Sequence, residues 1–276
     1  IGIVTKPGLR CKVGEYAINP VPRAMIFGHV GKICKSFGFR GSLWIEIFAP
    51  EGEERARKTF NSRLGILGGI SILGTSGIVE PMSQEAVLET IRLEIGQRVL
   101  EGESCLLLTP GNYGMDFAAE SLGLDPRQAV KCSNFIGASI DLAVQAGAKG
   151  LLLIGHMGKL VKLAAGIMNT HSKEADGRME ILAAYAGAAE APAGMIRQIL
   201  GSVTVDQALA LLEEQEGLRE AVMAAVTEAV FFHLKKRAGE GMEVQAILFT
   251  NERGILGMTP GAKKLLEELR SGGKEV

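Results

Sequence analysis

A run of glycines is the first feature of this sequence that points to chemistry. Residues 63–83 read RLGILGGISILGTSGIVEPMS and contain Gly65, Gly68, Gly69, Gly74 and Gly77. Each glycine fixed in ordered structure costs about 0.5–1 kcal/mol relative to alanine, so such a run is expected where the backbone needs positive φ or approaches a ligand closely. The spacing matches neither GxGxxG nor a P-loop. The segment predicts a ligand loop of unspecified chemistry, and a tightly packed bend is an equally good interpretation.

Polar and small residues follow four short apolar runs further along the chain. Because the carboxyl ends of parallel strands meet at one edge of a sheet, where ligands bind, these residues are expected to converge there. Asn112 and Asn134 also suit ordinary helix capping. The residues that follow the four runs are Thr109–Asn112, Ser133–Asn134, His156–Lys159 and Thr250–Asn251.

A second dense segment, residues 155–182, carries two histidines and several charged groups. His156 lies where a strand is expected to become a helix, and His171 follows that helix in a polar loop. Lys159 and Lys162 are three residues apart and share a helix face, although a solvated face is also typical of such a pair. A metal site needs three or four converging ligands, and the spacing shows none, so we predict no metal site.

The elements that must position these residues follow from the hydrophobic pattern. Short apolar runs that alternate with helical patterns favour a mostly parallel sheet covered on both faces. Pro22 suits the first turn of a helix, and Ser83 is a plausible helix N-cap. The predicted strands are 2–5, 42–48, 104–109, 129–132, 150–155 and 244–250, and the predicted helical stretches are 20–37, 83–100, 113–122, 134–146, 157–168, 176–238 and 261–270.

The predicted fold class is α/β (α+β overall). Residues 1–80 form a small mixed α/β layer with the glycine-rich loop, which we expect to be the remainder of a larger N-terminal domain. Residues 81–276 form a Rossmann-like α/β domain, a mostly parallel sheet with helices on both faces.

Composition narrows the functional classes. The chain has 276 residues, 47% hydrophobic residues and a formal net charge of −1, so no overall basic field attracts nucleic acid or an anionic membrane. Four scattered cysteines without a CxxC pair indicate a reducing, cytoplasmic location. The chain opens on Ile1 rather than methionine, so we expect it to be N-terminally incomplete.

Five of these segments together carry a resemblance. They are AINPVPR (17–23), GILGGISILGTSGIVEPMS (65–83), SNFIG (133–137), GHMGKLVKLAAGIMNTHS (155–172) and ADGRMEILAA (175–184). The chain resembles the cobalt-precorrin-5B C-1-methyltransferase family of anaerobic cobalamin biosynthesis, in order from about residue 2 to the end. It lacks a Thr/Gly-rich, Cys-Ala-Ala-containing N-terminal region that is usual in that family, and an active site built partly from that region would be incomplete here.

The resemblance implies an S-adenosylmethionine-dependent methyltransferase that converts cobalt-precorrin-5B to cobalt-precorrin-6A, with cobalt present only as part of the substrate. Positioning of two bound molecules then supplies much of the catalysis, and no catalytic residue is assigned. A macrocycle fringed with carboxylates needs a local basic cluster and free backbone N–H groups. The candidates for the cofactor are Gly65, Gly68, Gly69, Gly74, Thr75, Gly77, Thr109, Gly111 and Asn112, with Asp116 and Asp141 as weaker alternatives. The candidates for the substrate are Arg23, Asn134, His156, Lys159, Lys162, His171 and Arg178.

Two other functions remain open at this point. One is a nucleotide-dependent oxidoreductase or isomerase acting on a tetrapyrrole, and the other is a carrier that binds a tetrapyrrole without turnover. The expected partner is a small corrinoid, with no nucleic acid and no membrane. A homo-oligomer, or transient contact with neighbouring enzymes of the pathway, is compatible with the sequence.

Overall fold

The structure is a computed structural model, and it describes residues 1–74 and 84–272. The chain divides into two compact units, Ile1–Leu100 and Glu101–Val276, which we describe separately. Among the described helices, none is both long and apolar enough to cross a membrane.

The first unit is a small mixed α/β layer. Strands β1 (Ile3–Val4) and β2 (Ile66–Leu67) pair antiparallel. They are accompanied by helices α1 (Pro20–Ser36), α2 (Gly52–Ala56) and α3 (Gln84–Leu100). The amide of Gln97 in α3 donates to the Leu64 carbonyl over 2.9 Å, so α3, which the sequence analysis groups with the second domain, packs within this unit. The small core consists of Val4, Cys11, Ala17, Leu64, Ile66 and Leu93.

The predicted strand over residues 42–48 is wrong. The alternation in SLWIEIF is typical of a half-buried strand, yet residues 42–49 adopt no regular secondary structure in the first unit. Trp44 is 93% exposed and Phe48 is 72% exposed, so the face that would carry them does not pack on this unit, whereas Ile45 and Ile47 are half-buried. A strand also needs a neighbouring backbone to satisfy its N–H and C=O groups, which the pattern of side chains cannot provide.

The second unit contains a five-stranded, mostly parallel sheet, which confirms the predicted fold class. Its order is β4-β3-β5-β6-β7, in which the first four strands are parallel and β7 is antiparallel to β6. The sequence analysis missed β7. The strands are β3 (Cys105–Thr109), β4 (Ala129–Lys131), β5 (Gly150–His156), β6 (Glu243–Thr250) and β7 (Gly254–Met258).

Helices cover both faces of this sheet. The stretch predicted as 157–168 forms one turn of α-helix followed by a 3-10 segment, Val161–Ala165, and the stretch 176–238 is divided into four helices. The helices are α4 (Asn112–Glu120), α5 (Ile136–Ala146), α6 (Met157–Leu160), α7 (Arg178–Ala188), α8 (Ala193–Leu200), α9 (Val205–Glu213), α10 (Leu218–Ala238) and α11 (Ala262–Arg270).

Alternate residues of the central strands face opposite layers of helices. Leu107, Leu152 and Phe249 form one core with α4 and α11. The neighbouring residues Leu106 and Leu153 are equally buried on the other face. Strands buried on both faces read as continuous apolar runs, which is why β3, β5 and β6 were predictable.

An ion-pair network ties the β6–β7 hairpin to the helices beside it. The guanidinium group of Arg253 donates to Glu213 over 2.8 Å and to Asp206 over 3.2 Å. Arg219 also donates to Glu213, over 2.6 Å. Hydrogen bonds from these two arginines lower the pKa of Glu213 to about 2.

Candidate functional site

The glycine-rich segment lies in the first unit, and three of its glycines have structural explanations. Gly65 and Gly68 have φ of +72° and +78°, a region that glycine adopts without strain. A Cβ on Gly69 would lie 2.7 Å from the Gly2 nitrogen and 2.8 Å from the Ile1 carbonyl carbon. Gly69 is therefore required by close backbone packing inside the unit, and its contact with a cofactor remains a prediction.

The structure describes only some of the remaining candidate residues of this unit. Gly74 has φ of +138° at the end of the described segment, while Thr75 and Gly77 lie outside the described residues. Arg23 lies in α1, half-exposed, with its guanidinium 3.9 Å from the carboxylate of Glu15. Four of the predicted cofactor glycines and Arg23 thus belong to the first unit, and the other described candidates belong to the second.

The strand order of the second unit creates a topological switch point between β3 and β5. After β3 the chain runs to β4 on one side of β3, and it then crosses to β5 on the other side of β3. The loops that follow β3 and β5 therefore lead in opposite directions. In open α/β sheets, ligands bind in the crevice formed at that place. The residues there are Thr109–Asn112 after β3 and His156–Lys159 after β5, both of which the sequence analysis selected.

The start of α4 offers unsatisfied hydrogen-bond donors at this switch point. Gly111 occupies the N-cap position, where no side chain caps the helix, and a Cβ there would meet nothing within 4 Å. The hydroxyl oxygen of Thr109 is fully buried and has no hydrogen-bond partner among the described residues. Free N–H groups at a helix N-terminus attract anions.

Two lysines flank this helix start. Lys159 donates from Nζ to the Pro110 carbonyl over 3.3 Å, and burial lowers the pKa of its ammonium group. Lys131, at the end of β4, donates to Asn112 Oδ1 over 2.8 Å. The sequence analysis missed Lys131, although its place near the end of the predicted strand 129–132 marked it as a neighbour of the other strand ends.

His156 ends β5 with a defined tautomer. Its Nδ1 accepts the Gly158 amide over 3.1 Å, so the proton of the neutral ring lies on Nε2. The ring centroid is 5.6 Å from that of Phe249 and 6.3 Å from that of Tyr113. Burial lowers the pKa of His156, and the carboxylate of Asp206 opposes this shift weakly. At neutral pH the ring is an uncharged donor.

The residues after β4 connect to the polar loop that carries His171. Ser133 has φ of +53°, and the Asn134 carbonyl accepts the Thr170 amide over 3.0 Å. Asn134 is half-buried, so its placement is compatible with both capping and ligand contact. Cys132 beside it is fully buried, and burial raises the pKa of its thiol to about 12, which leaves the thiol unreactive.

Lys162 lies inside the protein rather than on a helix face toward a ligand. It is 3% exposed, and its Nζ donates to the carbonyls of Thr170 over 3.2 Å and Ala175 over 2.7 Å. Asp176 lies 3.9 Å away. The helix changes to a 3-10 segment at Val161, immediately before Lys162. This geometry favours a role in holding the 169–177 loop over direct contact with a substrate.

The 169–177 loop presents the two remaining candidates. His171 is exposed, and its Nδ1 accepts the Lys173 amide over 3.1 Å. Arg178 donates to both carboxylate oxygens of Asp176, at 2.5 and 2.9 Å, which lowers the pKa of that carboxyl. Of the weaker alternatives, Asp141 is paired with Arg237 at 2.7 Å.

Other features of the second unit give less support for a site. A cavity of about 770 Å³ lies between α10 and β7, but both arginines that line it are already paired with Glu213. Within residues 1–74 and 84–272, no group of three or more His, Cys, Asp or Glu side chains could hold a metal ion. The strand-end cluster of the second unit, defined as Thr109, Gly111, Asn112, Lys131, His156 and Lys159, is therefore the candidate site.

Comparison with known proteins decides the family. The CbiD family model matches residues 1–81, and the model of the CbiD C-terminal domain matches residues 169–260. A cobalt-precorrin-5B C(1)-methyltransferase of Ruminiclostridium cellulolyticum is 49% identical over 274 residues, which are 98% of this chain and 71% of that protein. The chain belongs to the CbiD family. The resemblance found in the sequence is thereby confirmed.

Further CbiD relatives agree with this assignment. The cobalt-precorrin-5B C(1)-methyltransferase of Alkaliphilus metalliredigens is 42% identical over 99% of this chain and 71% of that protein. A crystal structure of the cobalamin biosynthesis protein (cbiD) from Archaeoglobus fulgidus is 27% identical and covers 63% of this chain and 57% of that chain. Its TM-score of 0.24 is too low to compare the two folds.

Proposed function

We propose that this CbiD chain transfers a methyl group from S-adenosylmethionine to C-1 of cobalt-precorrin-5B. The observation that carries the proposal is the 49% identity, over 98% of the chain, to a relative with that name. A corrinoid is then the small-molecule partner, and cobalt enters as part of it. Four unpaired cysteines support a reducing, cytoplasmic setting.

The strand-end cluster suits the binding of S-adenosylmethionine. The uncapped start of α4 would hold the carboxylate of its amino-acid portion, with the Thr109 hydroxyl as a further partner and open space above Gly111. When bound, S-adenosylmethionine supplies a methyl group whose bond to sulfur breaks as the new bond to carbon forms. Because this chemistry is an in-line displacement, the protein contributes mainly by orienting the two molecules.

His156 and Lys159 would orient an acidic ligand group at the same edge. Neutral His156 donates from Nε2, and Lys159 provides a cation at the switch point. With its Nδ1 occupied by the Gly158 amide, His156 has no free lone pair to accept a proton, so we assign it an orienting role rather than that of a general base.

The reaction is tested by anaerobic incubation with methyl-labelled S-adenosylmethionine and cobalt-precorrin-5B. Label in the macrocycle supports the proposal. Tight binding of the macrocycle without transfer, by protein that is folded, would instead indicate a carrier. Preference for a nicotinamide cofactor over S-adenosylmethionine would indicate a redox enzyme.

Thr109→Val tests the placement of the methyl donor. Valine has nearly the same shape, and removing a buried unpartnered hydroxyl is expected to leave the unfolding midpoint unchanged or raised. Loss of the hydrogen bond from Thr109 to the ligand should lower the affinity for S-adenosylmethionine by about five- to tenfold, measured by calorimetry. Wild-type affinity in this variant would remove Thr109 from the site.

A further inference from the structure

Helix α1 and the segment that follows it form an exposed surface that is both apolar and basic. Nine of the 22 large apolar side chains that are exposed in the described structure lie between residues 20 and 48. Among them, Phe37 is 84% exposed and Trp44 is 93% exposed, and α1 contains no buried residue. A concentration of exposed apolar side chains in one segment is typical of a binding surface.

The charge on this surface is mainly positive. Residues 20–48 contain Arg23, Lys32, Lys35 and Arg40 and a single carboxylate, Glu46. Arg23 has a distant partner in Glu15, at 3.9 Å, whereas the other three make no ion pair with any described residue. Because the whole chain has a net charge of −1, this stretch is locally opposite to the rest of the protein.

The combination of exposed aromatic rings and cations indicates what kind of molecule binds this surface. An apolar face alone would suit many partners, but unpaired cations between exposed aromatic rings suit a large, flat, apolar molecule with anionic groups at its rim. Aromatic side chains pack against the face of such a molecule, and the cations pair with its rim. Nucleic acid fits less well, because the remainder of the chain would repel it.

We propose that the basic apolar surface of residues 20–48 binds the carboxylate-fringed macrocycle, with Trp44 and Phe37 against its face and Lys32 and Lys35 at its rim. This inference rests on the proposed function for the identity of the macrocycle. It adds contacts from the first unit to the recognition of the macrocycle. In that unit the sequence analysis had selected Arg23 for the substrate and the glycines and Thr75 for the cofactor.

The chain carries its own reporter for this binding. Trp44 is the single tryptophan in the sequence, and its exposed ring emits as a solvated indole. A corrinoid absorbs in the region of tryptophan emission, so a macrocycle bound at this surface quenches Trp44 directly. Cobyrinic acid, with free carboxylates, and cobinamide, in which the side-chain carboxylates are amidated, are suitable probes because they share the ring and differ in rim charge.

The expected result is saturable quenching of Trp44 by cobyrinic acid. Cobinamide should bind at least about tenfold more weakly, and added salt should reduce this difference in affinity. The double substitution Lys32→Glu with Lys35→Glu should weaken the binding of cobyrinic acid by about tenfold or more. Lys149→Glu with Lys263→Glu is the matched control, because it changes the net charge equally at exposed lysines of the second unit. Phe37→Gln should weaken the binding of both probes, and it should leave the fold intact because the Phe37 side chain is exposed.

Three outcomes would overturn the proposal. Equal weakening by the two double variants would show attraction to overall charge alone. Blue-shifted Trp44 emission before ligand is added, together with sedimentation as a dimer, would show that a second copy covers the surface. Methyl transfer without quenching would place the macrocycle elsewhere and leave the proposed function standing, whereas quenching without transfer would support this surface and refute the function.

Discussion

Two substitutions at His156 separate its two contacts. Its Nδ1 caps α6 by accepting the Gly158 amide, and its Nε2 is the donor that we assign to a ligand. His156→Asn keeps an oxygen that can accept the same amide but lacks a donor at the position of Nε2. His156→Ala removes both groups. Comparison of the two variants therefore measures the cap and the ligand contact independently.

The expected magnitudes differ for the two contacts. Loss of an N-cap costs about 1 kcal/mol, which corresponds to a fall of about 2–4 °C in the unfolding midpoint of a unit of this size. Only His156→Ala should show the loss of the cap. A hydrogen bond to a charged ligand group is worth about 1.5–3 kcal/mol, so both variants should lose about ten- to a hundredfold in kcat/KM for the corrinoid.

The assay combines label transfer to the macrocycle with thermal unfolding. Wild-type kcat/KM in His156→Asn would refute the role of Nε2 as a donor. Equal loss of stability in the two variants would refute the capping argument. The midpoints are best measured at pH 7.5, because the neutral ring is the form that caps α6.

The lowered pKa of His156 adds a pH dependence of known sign. A folded-state pKa below the ordinary 6.5 means that the stability contributed by the neutral ring is present above pH 6.5 and is lost as the pH falls through the folded value. The opposing carboxylate is that of Asp206, which Arg253 already pairs. The wild type should thus lose stability relative to His156→Asn below pH 6.5, and a constant difference from pH 8 to pH 5 would contradict this.

Three further perturbations test other parts of the structure. Gly69→Ala places a Cβ against backbone and should destabilise the first unit by about 1–3 kcal/mol in amide exchange, whereas Gly96→Ala, with open space in helix α3, should be neutral or stabilising. Glu213→Gln should be less stable than wild type above pH 4.5, and the difference between their unfolding midpoints should vanish as the pH falls toward 2, because the lowered pKa delays protonation. Lys162→Met should cost on the order of 3 kcal/mol and speed amide exchange in the 169–177 loop, since it leaves two buried carbonyls without their donor.

The parallel core of the second unit was predictable because burial leaves a direct mark on sequence. β3, β5 and β6 contain the apolar runs CLLL, LLLI and AILF, and all three strands are buried along nearly their whole length. β7 reads GILGM and none of its residues is fully buried, so its apolar pattern is short and weak. Gly257 is required there because a Cβ would collide with the Thr227 hydroxyl of α10, a long-range contact that the local sequence cannot show.

The sequence predicted which residues lie at the strand ends, but it did not predict what each side chain contacts. His156 and Asn112 were selected because strand ends converge, and the switch point brings their loops together in the second unit. Lys162 was selected as a partner of Lys159 on a regular helix. Lys162 is instead buried against the carbonyls of Thr170 and Ala175, and the spacing of the two lysines does not show these contacts.

The register of β5 with β6 has a consequence for the order in which the second unit folds. Gly150 pairs with Glu243 and His156 with Phe249, across an intervening chain that holds α6 to α10. Closing so long a connection is entropically unfavourable unless its helices have already condensed, and non-local pairing slows folding. The central strand therefore acquires its second neighbour only after residues 157–242 have been synthesised. Until then, the apolar edge of β5 is open to aggregation, so the yield of folded protein should depend on chaperones.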